Sequence, residues 1–210
     1  MSMTPNSIKA LNIDPEVKKA LLAIIGEDDT VDDAVTVGAA PSVAGLTVDV
    51  NRQGNIATLT FNLAAVSVPV TDAAGSGSSG SLKIFDFANF AIQPLASRMD
   101  FTAFTEGAAL TGAAGDAAFV MGLGSVAANA ADGALTGTEV DFAAVTATIT
   151  LGSTTLPYSK LAGQGTAIDG TSTAVDLYLN WSGSAATIDA NSTISVTGTI
   201  TVILALLGDD

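Results

Sequence analysis

The run ISVTGTITVILALL, residues 194–207, alternates at period two. Ile194, Val196, Ile200, Val202, Leu204 and Leu206 fall on even positions, with Ser195, Thr197, Thr199 and Thr201 between them. Alternation at period two puts one set on each face of a strand, and the β-branched Ile, Val and Thr favour that conformation. A membrane-spanning helix needs about 20 apolar residues, and the stretch after Gly198 is shorter and contains two Thr. The period therefore predicts a long strand, with Gly198 at a bend or bulge. Beyond Thr201 the polar face becomes apolar through Ile203, Ala205 and Leu207. That end of the strand is expected to be covered on both sides, by another layer of the chain or by another subunit.

The same pattern recurs upstream. In NIATLTFNLAAVSVPV, Ala57, Leu59, Phe61 and Leu63 take odd positions, then Ala64, Val66, Val68 and Val70 take even ones. The phase change at Ala64–Ala65 predicts a bulge or a corner, as where a strand passes between two sheets. AAGSGSSG, residues 73–80, reads as a flexible loop. SLKIFDFANFAIQPL and MDFTAFT are strand material with further phase slips, followed by DAAFVMGL, VTATITL and AVDLYLNW. The Ala-rich SVAANAADGALTG can hold a helical turn. About eight strands with irregular loops predict an all-β fold, a β-sandwich of jelly-roll type, with an Ig-like sandwich as the alternative. The composition suits such a core: 48% of the residues are hydrophobic but only 5% are aromatic, so the interior is built from small side chains.

Residues 1–40 read as an arm preceding a sandwich domain at 41–210. In NIDPEVKKALLAIIG, Asp14 is a good N-cap, Pro15 occupies the first helical position and Glu16 complements the helix dipole. Val17, Ala20, Leu21, Ile24 and Ile25 share one helical face, and Gly26 ends it. Five acids then fall between Glu27 and Asp33. This cluster lacks the spacing and glycine of a calcium loop and reads as a solvated tether. The apolar face of the helix needs a cover, either its own domain or another subunit as an anchor. Val17, Leu21, Ile24 and Ile25, with Ile203 and Leu207, are the candidate interface residues.

Charge and residue usage restrict the chemistry. With 21 acids against 7 bases the net charge is −14, which disfavours nucleic acid and acidic membrane surfaces as partners. Cys and His are both absent, which removes disulfides, thiolate metal sites and the commonest general base. No metal, cofactor or enzymatic activity is expected. Asp100, Glu106, Asp116, Asp141, Asp169 and Asp176 are hydrolase candidates by residue type alone, and no spacing pairs any two of them. GSGSSG is followed by no Lys and no helix, so it is not a phosphate loop. The first residues lack a basic segment followed by an apolar core. Synthesis in the cytoplasm is therefore expected, and NWS and NST are chance matches to the glycosylation pattern.

LGSVAANAADGALTGTEVDF, DGTSTAVDLYLNW and NSTISVTGTITVILALLGDD resemble segments of small virion proteins of tailed bacteriophages. The resemblance covers roughly residues 116–210 and rests on a TAxDxYLN strand followed by a Thr-rich GTITV terminal strand. It implies a structural protein of the head, of the decoration or cement type. The partners would be the major capsid protein and further copies of the chain, with a homotrimer at a threefold position as a common solution. The location would be the capsid surface, after synthesis in the host cytoplasm. A head-fibre or tail protein is the alternative within the virion. A carbohydrate-binding jelly-roll module is the alternative from another class, although it would use an exposed aromatic row and the chain has one Trp and two Tyr.

Overall fold

A computed structural model describes residues 37–72, 77–107, 118–129, 134–143, 149–150, 158–163, 165–183 and 190–208. The expected helix and acidic tether, and with them Val17, Leu21, Ile24 and Ile25, lie outside the described residues.

The described chain is all-β. Ten strands are present: β1 (Gly38–Ala39), β2 (Leu46–Gln53), β3 (Ile56–Asp72), β4 (Ser78–Phe87), β5 (Ala91–Glu106), β6 (Ala118–Gly124), β7 (Ile149–Thr150), β8 (Tyr158–Ala162), β9 (Asp176–Gly183) and β10 (Ser192–Gly208). Their order is β7-β6-β9-β4-β3-β10-β5-β8, with β1 beside β4 and β2 beside β3. Every pairing is antiparallel. β3 runs along β10 from Ile56 to Val70 and meets β4 only at Thr71 and Asp72. The sheet therefore turns a corner there and divides into two halves, β7-β6-β9-β4 and β3-β10-β5-β8. The chain crosses between the halves at each step from β3 to β6 and again from β7 to β10, which is jelly-roll-like.

The two halves close over one core. Phe61 of β3 meets Phe85 of β4 edge-on with ring centres 6.0 Å apart, and Phe104 of β5 meets Phe119 of β6 at 5.4 Å. Phe119 in turn stacks on Trp181 at 5.7 Å. All six even-numbered apolar residues of β10, from Ile194 to Leu206, are buried, as their alternation predicts.

β10 holds this phase because its neighbours absorb the irregularities. Val196 pairs with Val66 but Gly198 pairs with Leu63, so Ala64 and Ala65 together face Thr197. On the other side Thr197 pairs with Ala103 and Gly198 with Phe101, leaving Thr102 as the extra residue of β5. Ala65 has φ 56°, and its N–H donates to Thr197 Oγ1 at 3.1 Å. The bulge thus falls where the phase change predicts it, while the passage to the other half comes later, at Thr71–Asp72.

One expectation is corrected, and a second is tested only in part, since residues 130–133 of the Ala-rich stretch lie outside the described residues. Residues 78–80 are not loop: they begin β4, and Ser78, Ser79 and Gly80 are buried. A Cβ at Gly80 would come 2.1 Å from the Pro69 carbonyl oxygen, so glycine here serves close strand packing rather than flexibility. The described parts of the Ala-rich stretch, 125–129 and 134–136, are not helical. A 3₁₀ turn, Gly137–Glu139, follows them, with Thr136 and Glu139 forming a capping box.

Candidate interaction face

The outward side of the β2-β3-β10-β5 sheet is laid out in rows by its register. Thr47, Asn62, Thr199 and Asp100 stand side by side, as do Asp49, Thr60, Thr201 and Arg98. Asn51, Thr58, Ile203 and Ala96 form the third row, and Gln53, Ile56, Ala205 and Gln93 the fourth. Opposite residues of an antiparallel pair share a face, so the rows form one surface that is polar and hydroxyl-rich at one end, while at the other Ile203, Ala96, Ile56 and Ala205 stand among Asn51, Thr58, Gln53 and Gln93. Arg98 is paired with Asp100 at 2.7 Å, and Asn62 Nδ2 donates to Asp49 at 3.4 Å. Asp49, Asp100 and Arg98 are the only charged side chains in these four rows. The face is thus close to neutral in a chain of net charge −14.

Two shallow depressions mark this face on either side of β10. One, about 390 Å³, is lined by Asp49, Asn51, Gln53, Ile56, Thr58 and Thr60. The other, about 310 Å³, is lined by Ala96, Ser97, Arg98, Thr201 and Ile203. Ile203 and Ala205 are half-buried between the neighbouring strands, while Leu207 is 52% exposed and Ile56 40%. Of the candidate interface residues, Ile203 and Leu207 therefore lie on the outward side of β10. The polar rows beside them were not singled out from sequence. Their signal was present in the alternation Thr47, Asp49, Asn51, Gln53 of β2, which becomes informative only once β3 is known to lie alongside.

The hydrolase candidates are dispersed. Asp100 is in its pair with Arg98. Asp169 closes a local turn by accepting from the N–H and Oγ of Thr171, which holds its carboxyl below the usual range. Asp141 accepts from Ser125 N–H at 2.8 Å and Ser125 Oγ at 2.6 Å, and burial nonetheless pushes its carboxyl up. Asp176 accepts from Tyr178 Oη at 2.8 Å and lies 3.6 Å from Lys83 Nζ. Glu106 ends β5, and Asp116 is outside the described residues. One carboxylate pair does arise, Asp86 opposite Asp176 across β4 and β9. Its hydrogen bond with Asp176, and Lys83 2.6 Å away, hold Asp86 below the ordinary carboxylate range. The same bond to Asp86 raises Lys83. This is an ion-paired surface cluster, set at the point where the β4–β9 register shifts between Lys83 and Phe85.

A groove of about 800 Å³ lies between residues 137–143 and 162–169 and includes Ser125. Its lining is small and mostly uncharged, with Asp141 and Asp169 as the acids. Among the described residues, no group of three or more His, Cys, Asp or Glu is placed to hold a metal ion. The wall of the groove is fixed by a buried polar network. Asn180, fully buried, donates to the Val126 and Glu139 carbonyls at 2.9 and 2.8 Å. Its Oδ1 accepts from Ser81 Oγ at 2.6 Å and Ala128 N–H at 3.0 Å. The Glu139 carboxylate accepts from the N–H groups of Asn129 and Thr136 at 2.7 and 2.9 Å. Asn180 belongs to the NWS match, and its burial leaves it no access for a glycan.

No protein-family model matches the chain, and no curated protein matches it.

Proposed function

We propose that this chain is a non-enzymatic structural protein of a virion, laid on the outside of a tailed-bacteriophage head as a decoration or cement protein. The observation that carries the reading is the near-neutral, four-row outward face of β2-β3-β10-β5 in a strongly acidic molecule. Such a face can lie flat on a shell subunit without desolvating many charges, a step that is costly when charges lose water unpaired. The acids elsewhere favour solubility. A protein that binds only the assembled shell stabilises it by linkage. The bacteriophage resemblance of residues 116–210 supports the same reading, with the major capsid protein as partner. The arm residues Val17, Leu21, Ile24 and Ile25 supply a second, tethered contact in this scheme.

Co-sedimentation with expanded, undecorated heads tests it, using the phage whose purified virions contain the chain by mass spectrometry. Thr58→Lys combined with Thr201→Lys places two like charges in the middle of the face and should abolish binding of the folded protein. Undiminished binding would move the contact elsewhere. Absence of the chain from virions would remove the reading.

A further inference from the structure

Among the described residues β2 has one side with no strand beside it, and its register says which groups that side presents. Ala64 N–H donates to the Gly45 carbonyl at 2.8 Å, and Leu46–Gln53 continue that register against β3 without a bulge. Hydrogen-bonded and non-bonded partners alternate in an antiparallel pair. Thr47, Asp49, Asn51 and Gln53 therefore turn their backbone groups toward β3, and Val48 and Val50 turn theirs off the edge of the sheet. Leu46 N–H is turned back onto the Val43 carbonyl. Among the described residues, no strand pairs with that edge. Across the core the opposite layer is extended only by the two-residue β1, and Val50 remains 45% exposed although its side chain is on the inner side. Exposed edges are commonly blunted by Pro, by a bulge or by charged side chains; β2 has no Pro and no bulge, and its charged side chains are Asp49 on the outer side and Arg52 on the inner side.

We infer that β2 pairs with β2 of a second copy, antiparallel about a twofold axis at Val50. The edge is self-complementary in this register. With the outward-turned groups bonded to each other, an axis at Asp49 would set two carboxylates directly opposite, a destabilising pair. An axis at Asn51 would leave Leu46, Thr47 and Val48 without partners in β2 and shorten the overlap to Asp49–Gln53. The axis at Val50 places Val50 against its own counterpart and Val48 against Arg52, and it pairs Thr47–Gln53, an overlap as long as the axis at Asp49 allows. It also places Asp49 opposite Asn51 and Thr47 opposite Gln53, twice each by symmetry. Asn51 can donate its amide to the carboxylate. Two copies of net charge −14 repel, so close approach is favoured where acids are few, and Asp49 is the only acid of β2. The product is one antiparallel sheet running through both copies. It is a twofold contact, separate from any threefold contact on a shell, and it does not depend on the head-decoration reading.

Sedimentation equilibrium of the full chain over a concentration series should show a reversible dimer. Val50→Lys should sediment as a monomer with an unchanged circular dichroism spectrum. Should that variant unfold, the exposed outer row carries the test. Asn51→Lys, meeting Asp49 twice, should tighten the dimer by about fivefold, and Asn51→Asp should weaken it by a similar factor. The chain has no Cys, so Val50→Cys introduces a single thiol. Its counterpart would lie at a Cα separation of about 5.5 Å, within disulfide reach, and mild oxidation should give a covalent dimer that Asn51→Cys does not give. A wild-type monomer at all concentrations, an oligomer indifferent to Val50→Lys and to the Asn51 charges, or cross-linking through position 51 rather than 50 would overturn the inference.

Discussion

Gly198 of β10 lies directly against Asp100 of β5: a Cβ at Gly198 would come 2.1 Å from the Asp100 carbonyl oxygen and 2.8 Å from the Phe101 Cα. Gly198 also has φ 154°, a region that L side chains rarely adopt. It stands beside Thr197, the residue at which both neighbouring strands gain their extra residues. Gly198→Ala must push β5 and β10 apart at the centre of the sheet. It should destabilise the domain by about 2–4 kcal/mol, read as a lower urea midpoint. A loss below about 0.5 kcal/mol would mean that the two strands separate freely there.

Ala65 presents the opposite case. Its left-handed φ of 56° strains a residue with a Cβ, and its side chain is exposed. Ala65→Gly should therefore stabilise the fold by about 0.5–1 kcal/mol, the relief of strain exceeding the entropy that glycine adds to the unfolded chain. Thermal unfolding of the two proteins side by side measures this, and a lower midpoint for the glycine variant would count against the bulge.

Asn180 of β9 holds Val126, Ala128 and Glu139 through three hydrogen bonds and Ser81 of β4 through a fourth. Removing the amide takes their Asn180 donor from the Val126 and Glu139 carbonyls, whereas Ala128 N–H keeps Ser81 Oγ as its acceptor. Asn180→Ala should cost about 2–4 kcal/mol. Asn180→Asp should also be costly, because its new oxygen would face the Val126 and Glu139 carbonyls. Denaturant titration of both variants checks the pair. A harmless Asn180→Asp would show that acceptors, not donors, are what the site requires.

Asp141 links stability to pH. Burial raises its carboxyl above the unfolded value despite the Ser125 hydrogen bonds. Between the unfolded and folded values the native state binds more protons, so stability falls as pH rises through that window. The window opens at about pH 4, near the unfolded Asp value. Asp141→Asn removes this titration. The variant should lose its disadvantage, or become the more stable protein, as pH rises from 4 to 7. Urea midpoints at the two pH values test this, and a wild-type advantage that grows toward pH 7 would reverse the sign.

The strands were legible where one face meets the core and the other does not. β10 shows this from Ile194 to Leu206, and in β3 the change from Leu63 to Val66 marked its bulge. Ser78–Gly80 misled because small polar residues in series resemble a linker. They are strand because Gly80 lets the Pro69 backbone approach and β9 pairs with Ser78–Ser81, both long-range facts. Of the candidate face, Ile203 and Leu207 were legible as apolar residues on a mainly polar side. Thr47, Asp49, Thr58 and Thr60 were not, since exposed Thr and Asp are ordinary in any strand.

What the sequence by itself determined is the period: which side chains of a strand go inward together, where that phase breaks, and that a chain without His or Cys has few routes to metal or acid–base chemistry. These follow from local geometry, because side chains alternate across a strand wherever it lies. Which strand lies beside which was decided only by the tertiary structure. The order β2-β3-β10-β5 brings residues about 150 positions apart, Asp49 and Thr201, into one row. It also leaves β2 as an edge with Val50 exposed. Pairing partners are chosen by the fit of two whole faces across the core and by the backbone groups left over at the edges. Neither quantity belongs to any single stretch of residues.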